Sequence, residues 1–185
     1  QVGRESSTQL PLTGLELARY FVTVFVIRQI TVVWVIWDFE YHVVQGRLSS
    51  YLLQPMDFGW RLVAAHLAEQ AARLPFGLAL VGLFFALYPQ AWWWPDGGGL
   101  LLGLAAGYLA FAVRYLMQYT LAMLAFWVER ASALEALLFL PWLFFSGVIA
   151  PLTFYQPVWL RELLFWTPFP YMIHFPATLI VGLDP

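Results

Sequence analysis

The sequence predicts an all-α polytopic membrane protein, from its composition and from the length of its apolar stretches. Of its 185 residues, 62% are hydrophobic, 19% are aromatic and 11% are charged. A soluble domain averages about 45–50% apolar and about 25% charged residues. A helix that crosses a bilayer needs about 20 mostly apolar residues, and several stretches of the chain reach this length. A water-soluble globule is therefore excluded.

The residue types that are missing exclude several kinds of chemistry. All nine basic residues are arginine, and the chain has no lysine and no cysteine. Without lysine the chain cannot form a Walker A nucleotide site or a Schiff base. Without cysteine it has no disulfide, thiolate nucleophile or cysteine-based metal site. A net charge of −2 leaves no basic patch for nucleic acid, and no spacing typical of a catalytic constellation stands out.

The first predicted membrane helix covers residues 15–43 and follows a polar outer loop, residues 1–14. It holds Glu16 and Arg19 at its start and Arg28 further in. Because Glu16 precedes Arg19 by three residues, we expect these two side chains to pair. The last residues of the segment are polar and continue the helix out of the membrane.

Residues 38–73 form the only extended polar stretch inside the chain, and residues 44–73 are the predicted cytoplasmic segment that follows the first membrane helix. Gly46 is available for a left-handed helix cap, and residues 48–55 follow as a short amphipathic helix. One face of this helix consists of leucines, namely Leu48, Leu52 and Leu53. The basic excess that binding to an anionic membrane surface requires is missing. The leucines therefore favour docking on a partner protein.

The next helix has a predicted cap and two predicted surface ion pairs. Asp57 is placed to cap its start. Acid-first pairs four residues apart stabilise a helix, and the sequence contains two of them, Asp57–Arg61 and Glu69–Arg73.

Three further membrane helices are predicted, at residues 74–95, 100–128 and 136–150. The second span ends in Trp92–Trp94, and the third is interrupted only by Arg114. Aromatic residues such as these tryptophans favour the membrane interface.

Prolines break the apolar chain in and after the fourth span, at Pro141, Pro151 and Pro157. Proline inside a helix removes a hydrogen bond and clashes with the preceding turn. Residues 151–182 are therefore predicted to form an irregular or re-entrant extracytoplasmic region.

Arginine counting in the loops orients the predicted helices, because cytoplasmic loops carry more basic residues. The side with segments 38–73 and 129–135 holds the larger set, namely Arg47, Arg61, Arg73 and Arg130. The other side holds Arg4 and Arg161, with Arg19 close to it. This bias places the 38–73 segment in the cytoplasm.

A stripe of small residues enters the third span, with Gly99, Gly103 and Gly107 spaced four residues apart. Such a stripe lets another helix approach closely, because lipid supplies no hydrophobic drive for association. Packing within the chain is the favoured interpretation, and a subunit interface is the alternative.

Two arginines lie near the middle of predicted spans. A charge at that depth costs at least about 2.5–3.5 kcal/mol on insertion scales, so Arg28 and Arg114 need partners. Gln118 is a polar residue one turn from Arg114. These residues either line a path for an anionic or amphipathic substrate, such as a lipid, or tie helices or subunits together.

No metal site is predicted. Asp38 with His42, and His66 with Glu69, could each share a helix face, but neither pair has a third ligand. His174 has no acidic neighbour. A further set of charges reads as a solvated turn between the third and fourth spans, namely Glu129, Arg130 and Glu135.

Two blocks of sequence resemble the ABC-2 type permeases, in particular a bacterial subgroup with no assigned substrate. The first block, Glu40–Leu48 followed by Tyr51–Pro55, resembles the cytoplasmic loop after the second membrane helix of that family. The second block resembles the outer end of its penultimate span, with the segments Ser146–Leu152, Gln156–Leu160, Pro168–Tyr171 and Phe175–Pro176. The blocks cover about 50 residues, and the spans between them match in pattern only.

The resemblance implies the ABC-2 type, type V exporter-like transmembrane domain, with six helices in full. Four of these would be visible here together with a re-entrant element, and the flanking helices would be missing from both ends. It also implies a multi-pass permease of the bacterial cytoplasmic membrane. Such a permease, most often an exporter, changes between inward- and outward-open states as a separate ATPase hydrolyses ATP.

The resemblance assigns roles to particular residues. The implied ATPase-coupling residues are Glu40, His42, Gln45, Gly46, Arg47, Leu48, Leu52, Leu53 and Pro55. The implied re-entrant element contains Ser146, Gly147, Pro151, Pro157, Trp159, Pro168, Tyr171 and Pro176. This chain would bind no cofactor itself, since ATP and Mg²⁺ would bind to the ATPase subunit. A second permease subunit, either an identical copy or a sister, would complete the transporter.

Two other classes of protein remain as alternatives. A structural subunit of a larger bioenergetic or lipid-associated membrane complex would show the same aromatic belts and glycine stripe. A membrane enzyme acting on lipids is disfavoured, because no nucleophile or metal constellation is visible. The Trp92–Trp94 cluster matches no feature of the family.

Overall fold

The computed structural model describes residues 12–128 and 130–183, and within these ranges the chain is helical and contains no strand. The α-helices of these ranges are α1 (Gly14–Thr31), α2 (Val35–Val44), α3 (Leu48–Leu52), α4 (Phe58–Leu87), α5 (Gly97–Ala122), α6 (Ser132–Phe145), α7 (Val158–Phe165), α8 (Phe169–Met172) and α9 (His174–Val181). Short 3-10 turns cover Pro89–Ala91, Met123–Phe126 and Leu152–Phe154. Most of the predicted outer loop, and Glu129, lie outside the described residues.

Three helical stretches are long and apolar enough to cross a membrane, namely Gly14–Val44, Phe58–Leu87 and Gly97–Phe126. The helix α6 is apolar but shorter, with 14 residues. This arrangement confirms the predicted all-α polytopic membrane fold.

The first membrane-crossing stretch is broken between α1 and α2. In a continuous helix, the N–H of Trp34 would donate to the carbonyl of Ile30, four residues earlier. Instead, this N–H donates to Nε2 of His66 at 2.9 Å, and the Ile30 carbonyl accepts from Nε2 of Gln70 at 2.7 Å. His66 and Gln70 lie one turn apart on α4. Side chains of one neighbouring helix therefore satisfy both the donor and the acceptor of the missing hydrogen bond.

The break between α1 and α2 is favoured by the residues around it, and it requires hydrogen-bond partners for the backbone groups that it frees. The residues around it include Thr31, Val32 and Val33, whose branched side chains lower helix propensity. A free backbone N–H or C=O in lipid costs several kcal/mol, so a broken membrane helix needs partners from its neighbours. Because Nε2 of His66 accepts a hydrogen bond, we place the proton on Nδ1, which donates to the carbonyl of Leu62 at 2.8 Å.

The second membrane-crossing helix, α4, is continuous over 30 residues. It begins at Phe58, inside the predicted cytoplasmic segment 44–73, and continues through Pro75. The carboxylate of Asp57 accepts from the N–H of Gly59 at 2.8 Å, so Asp57 caps the helix as predicted. The polar segment and the apolar span are therefore two parts of one helix.

One of the two predicted ion pairs forms on α4. Arg73 lies 3.2 Å from Glu69, which confirms that pair. The prediction of an Asp57–Arg61 pair is wrong, because Asp57 is engaged at the helix cap and Arg61 donates to Oε1 of Gln54 at 2.6 Å.

The glycine stripe of α5 lies at the centre of the packing, against α9 and α1. A Cβ atom on Gly99 would lie 2.6 Å from the carbonyl oxygen of Leu179, and one on Gly103 would overlap the side chain of Ile180. Further along, Gly107 faces α1. The stripe is thus occupied by helices of the same chain.

Arg19 fastens the loop of residues 88–96 to α1. Its guanidinium donates to the carbonyls of Ala91 at 3.2 Å and Trp92 at 3.3 Å, and lies 5.7 Å from the ring centroid of Trp93. The tryptophan cluster therefore has a structural partner in α1.

Glu16 does not form the expected pair with Arg19. Its carboxylate instead accepts from the N–H of Thr13 at 2.8 Å and from its hydroxyl at 2.9 Å. The Thr13 hydroxyl in turn accepts from the N–H of Glu16 at 3.4 Å, and this reciprocal capping box fixes the start of α1.

Candidate functional site

The predicted coupling segment forms a corner between α2 and α4. Gly46 adopts the left-handed conformation after α2, with φ +67°, which favours glycine. The turn is held by an aromatic cluster in which the ring centroids of His42 and Tyr51, and of His42 and Phe58, are 5.1 Å apart. Leu48 is buried. Together these contacts fix α3 against the rest of the protein.

The outer face of this corner is apolar and exposed. Leu52 is 69% exposed and Leu53 is 90% exposed. Met56 and Trp60 extend the same exposed segment along the chain. The expectation that Leu48 shares the exposed face is wrong, because Leu48 lies in the core. We call Leu52, Leu53, Met56 and Trp60 the docking surface.

Two polar residues of the segment, His42 and Arg47, contact residues of α2. The Nδ1 atom of His42 lies 2.6 Å from the carbonyl of Asp38, and the guanidinium of Arg47 lies 5.2 Å from the ring centroid of Tyr41. Gln45 and Pro55 are exposed.

Glu40 connects this segment to the fourth apolar helix. Its carboxylate accepts from the N–H of Ser132 at 2.6 Å and from the Ser132 hydroxyl at 3.1 Å. Ser132 is the first residue of α6, and a carboxylate there also interacts favourably with the helix dipole. Glu40 therefore ties the start of α6 to α2.

A polar cluster joins α5 and α6 inside the membrane-crossing part. A terminal nitrogen of Arg114 lies 3.8 Å from Oε1 of Glu135, and Nε2 of Gln118 donates to the same oxygen at 2.8 Å. Glu135 is 6% exposed. The prediction that Glu135 is a solvated turn charge is wrong, since α6 begins at Ser132 and carries Glu135 into the helix packing.

Arg28 and Arg114 approach the same tryptophan. The guanidinium carbon of Arg114 lies 4.2 Å from the ring centroid of Trp142, and that of Arg28 lies 5.9 Å away. Arg28 is exposed, and its guanidinium makes no ion pair with the residues that the structure describes. The guanidinium groups of two predicted intramembrane arginines therefore lie beside one aromatic ring, and the carboxylate of Glu135 pairs with the guanidinium of Arg114.

The predicted re-entrant region folds back onto α1. The hydroxyl of Tyr20 donates to the carbonyl of Gly147 at 2.9 Å and lies 2.9 Å from Nδ1 of His174. The N–H of His174 donates to the carbonyl of Ser146 at 2.9 Å. Burial lowers the pKa of the His174 imidazole to about 4, so this ring is neutral near pH 7.

The other residues predicted for this region differ in exposure. Pro151 and Pro176 are buried, whereas the exposed members are Pro157, Trp159, Pro168 and Tyr171. The hydroxyl of Tyr171 donates to the carbonyl of Phe165 at 3.0 Å. Within residues 12–128 and 130–183, no group of three potential metal ligands occurs.

A family model described as ABC-2 family transporter protein matches residues 11–184. The chain belongs to the ABC-2 transporter family. Searches of curated proteins and of solved structures gave no match. Members of this family are membrane components of transport and work with ABC ATPase subunits. The family match confirms the resemblance that the two sequence blocks indicated.

Several residues of this ABC-2 permease were missed by sequence reasoning. Ser132 and Trp142 carry no recognisable motif, and Tyr20 lies in an apolar stretch. One signal was present, because Glu135 and Trp142 are seven residues apart and so share one face of a helix. That face could be recognised only with α6 starting at Ser132 rather than at residue 136.

Proposed function

We propose that this chain is the permease subunit of an ABC exporter in a bacterial cytoplasmic membrane. A separate ATPase subunit binds ATP and Mg²⁺ and drives alternation between inward- and outward-open states. A second permease subunit, identical or a sister, completes the translocation unit. The chain itself carries no catalytic residue in this scheme.

The exposed docking surface is the observation that carries this proposal. Leu52 and Leu53 protrude from a corner whose other side is fixed by the buried Leu48 and by the aromatic contacts of His42. Large exposed apolar patches rimmed by polar groups mark interaction sites. At the end of the molecule that the arginine bias assigns to the cytoplasm, an ATPase subunit is the partner that the family supplies.

A continuous set of contacts connects this surface to the polar cluster. The docking surface follows α2 in the chain, and Glu40 of α2 bonds Ser132 at the start of α6. One turn later, Glu135 of α6 meets Arg114 and Gln118. We assign Arg28, Arg114 and Gln118 to the translocation path, because movement of α3 and α2 reaches them through α6.

The region of residues 151–182 serves in this proposal as the extracytoplasmic re-entrant element. Its helix α9 packs against the glycine stripe of α5 and against α1. The hydrogen bonds of Tyr20 with Gly147 and His174 attach the start of this region and the start of α9 to α1. The element thereby closes the outer end of the helix bundle.

A charge on the docking surface tests the proposal. The permease is co-expressed with a candidate ABC ATPase subunit from the same genome, and the complex is purified through a tag on the permease. Burial of a leucine side chain contributes about 1.5–3 kcal/mol, so Leu53→Glu should weaken ATPase association about tenfold or more. Leu163→Glu is the matched control, because Leu163 is 55% exposed on α7.

Two results would contradict the proposal. Full ATPase association with Leu53→Glu would remove the coupling assignment. Failure of the unmodified permease to bind the ATPase would instead favour a structural membrane subunit.

A further inference from the structure

The junction between α1 and α2 joins two halves of the first membrane-crossing stretch that are attached to different parts of the protein. On α1, the hydroxyl of Tyr20 donates to the carbonyl of Gly147, near the start of the outer region. On α2, the carboxylate of Glu40 accepts from Ser132 at the start of α6. A movement of the cytoplasmic corner relative to the outer region would therefore act on the junction between the two halves, residues 32–34.

The interruption of the backbone hydrogen bonds at this junction is short. The N–H of Val32 donates to the carbonyl of Arg28 at 3.2 Å, and the N–H of Asp38 donates to the carbonyl of Trp34 at 3.2 Å. Both bonds join residues four positions apart, as in any α-helix. The bonds that differ from those of a continuous helix therefore belong only to the N–H groups of residues 33–37.

Two backbone groups at the junction have two possible sets of partners. In the bent form, the Trp34 N–H donates to Nε2 of His66 at 2.9 Å, and Nε2 of Gln70 donates to the Ile30 carbonyl at 2.7 Å. In a straight helix, the Trp34 N–H would donate to the Ile30 carbonyl directly. His66 and Gln70 would then be available to each other, because they lie one turn apart on α4, and the amide N–H of Gln70 can donate to Nε2 of His66.

The exchange conserves the number of hydrogen bonds. Each form contains two bonds among the same two donors and two acceptors, so neither form leaves one of these groups free in lipid, where a free polar group is costly. The bond from Nδ1 of His66 to the Leu62 carbonyl, at 2.8 Å, lies within α4 and does not need to change. The number of hydrogen bonds at the junction therefore favours neither form.

The contacts of α5 with both halves permit a change of bend. A Cβ atom on Gly107 would lie 3.2 Å from Cδ1 of Ile27 on α1. The rings of Phe39 on α2 and Tyr119 on α5 meet edge to face, with centroids 5.7 Å apart. Because these contacts are apolar and contain no hydrogen bond, the helices can slide by the small distances typical of shear between packed helices.

We propose that residues 32–34 are a hinge with two states, a bent form closed by His66 and Gln70 and a straight form in which Trp34 and Ile30 bond each other. His66 and Gln70 are the positioning residues that stabilise the bent form. The ATPase subunit on the docking surface changes the balance between the two states through α3 and α2. The inference rests on the proposed function, because it names the element that bends when the permease alternates between its inward- and outward-open states.

Spin-label distances along the first membrane-crossing stretch test the hinge. The chain has no cysteine, so Leu15→Cys and Val44→Cys, both at exposed positions, take two labels. These positions are 29 residues apart, which corresponds to about 43 Å in a straight helix and to less in a bent one. Double electron–electron resonance measures the distance in nanodiscs, with labelled permease diluted into unlabelled permease and with a cysteine-free ATPase subunit.

Two variants change the balance in opposite directions. His66→Leu combined with Gln70→Leu leaves both backbone groups without these partners in the bent form only, so it should raise the fraction at the longer distance about tenfold or more. Val33→Pro should hold the bent form, because proline in a continuous helix clashes with the carbonyl four residues earlier. The preceding residue, Val32, has φ −67° and ψ 127°, a conformation that is favourable before proline.

Two further variants separate the hinge from general damage to α4. His66→Gln keeps an acceptor for the Trp34 N–H and should keep the distance distribution of the unmodified protein. Glu69→Gln removes the ion pair with Arg73 on the same helix but leaves the partners of the junction in place. It should also keep the unmodified distribution.

Trapped nucleotide links the hinge to transport. In the unmodified complex, ATP with vanadate should shift the distance distribution relative to the nucleotide-free state, and Val33→Pro should abolish that shift. An unmodified distribution in the double leucine variant would overturn the hinge, and a complex that hydrolyses ATP without any shift would overturn its part in transport. ATPase association is recorded in the same samples. The variants are also compared in the permease alone, so failure of the permease assignment appears separately from failure of the hinge.

Discussion

The carboxylate of Glu40 accepts two hydrogen bonds from Ser132, one from its backbone N–H at 2.6 Å and one from its hydroxyl at 3.1 Å. These residues are 92 positions apart in the sequence. Their contact joins the start of α6 to the corner between α2 and α4. It also explains why α6 begins before the apolar stretch that the sequence marks as the fourth span.

Replacing Glu40 by alanine should loosen α6 from α2. A hydrogen bond to a charged group contributes about 1.5–3 kcal/mol, and partial exposure places the expected loss at the lower end. Heat unfolding of the purified complex measures it. Asp38→Ala is the control, since Asp38 lies on the same helix. Equal unfolding temperatures for both variants would contradict the role of Glu40.

Replacing His66 by leucine should destabilise the broken first span. The Trp34 N–H would then lose its acceptor inside the membrane-crossing part, at a cost of about 1–3 kcal/mol. His66→Gln should recover much of this loss, because its side-chain oxygen can accept the same N–H. Unfolding in detergent gives the comparison, and equal stability of the two variants would show that hydrogen bonding at the break contributes nothing.

Replacing Gly147 by alanine should disturb the re-entrant region. Its φ is +87°, and an added Cβ would lie 2.5 Å from the Tyr20 hydroxyl and 2.8 Å from Cβ of His174. Gly182→Ala is a matched control, because Gly182 has φ +78° and open space around the added atom. Both variants lose about 1 kcal/mol to backbone strain. Gly147→Ala should lose clearly more, and equal losses would contradict the close contact.

The Arg114–Glu135 pair should show strong coupling. Removing one partner of a buried ion pair costs about 3–5 kcal/mol, because the other charge is left buried. Arg114→Gln combined with Glu135→Gln should therefore cost less than the two single changes added together. A double-mutant cycle on unfolding free energies measures this difference. Strictly additive losses would mean that the two charges do not interact.

Sequence reasoning reached the membrane class, the family, and the turn and short helix after α2, because each rests on local information. Apolar length predicts membrane helices, and Gly46 with the leucines that follow predicts a turn and a short helix. The polar cluster needed contacts between distant segments. Arg114 and Gln118 were recognisable by spacing, whereas Glu135 was hidden by its position near a turn.

The break between α1 and α2 was out of reach for a similar reason. The sequence around Trp34 contains neither proline nor glycine, and the branched residues before it lower helix propensity without being enough to end a helix. The break is stabilised by two side chains, His66 and Gln70, which bond the backbone groups there. Both lie more than 30 residues further along the chain than the groups they bond.

The missing hydrogen bond between Ile30 and Trp34 also determines the order in which this part of the protein folds during biosynthesis. A ribosome delivers α1 and α2 before α4, and at that stage neither the Ile30 carbonyl nor the Trp34 N–H has its native partner. Lipid does not tolerate the two free groups, so the early chain holds them in a continuous helix or keeps them near water. The native bend is acquired when α4 arrives, and the span of α1 and α2 settles into the bilayer together with α4 as one hairpin.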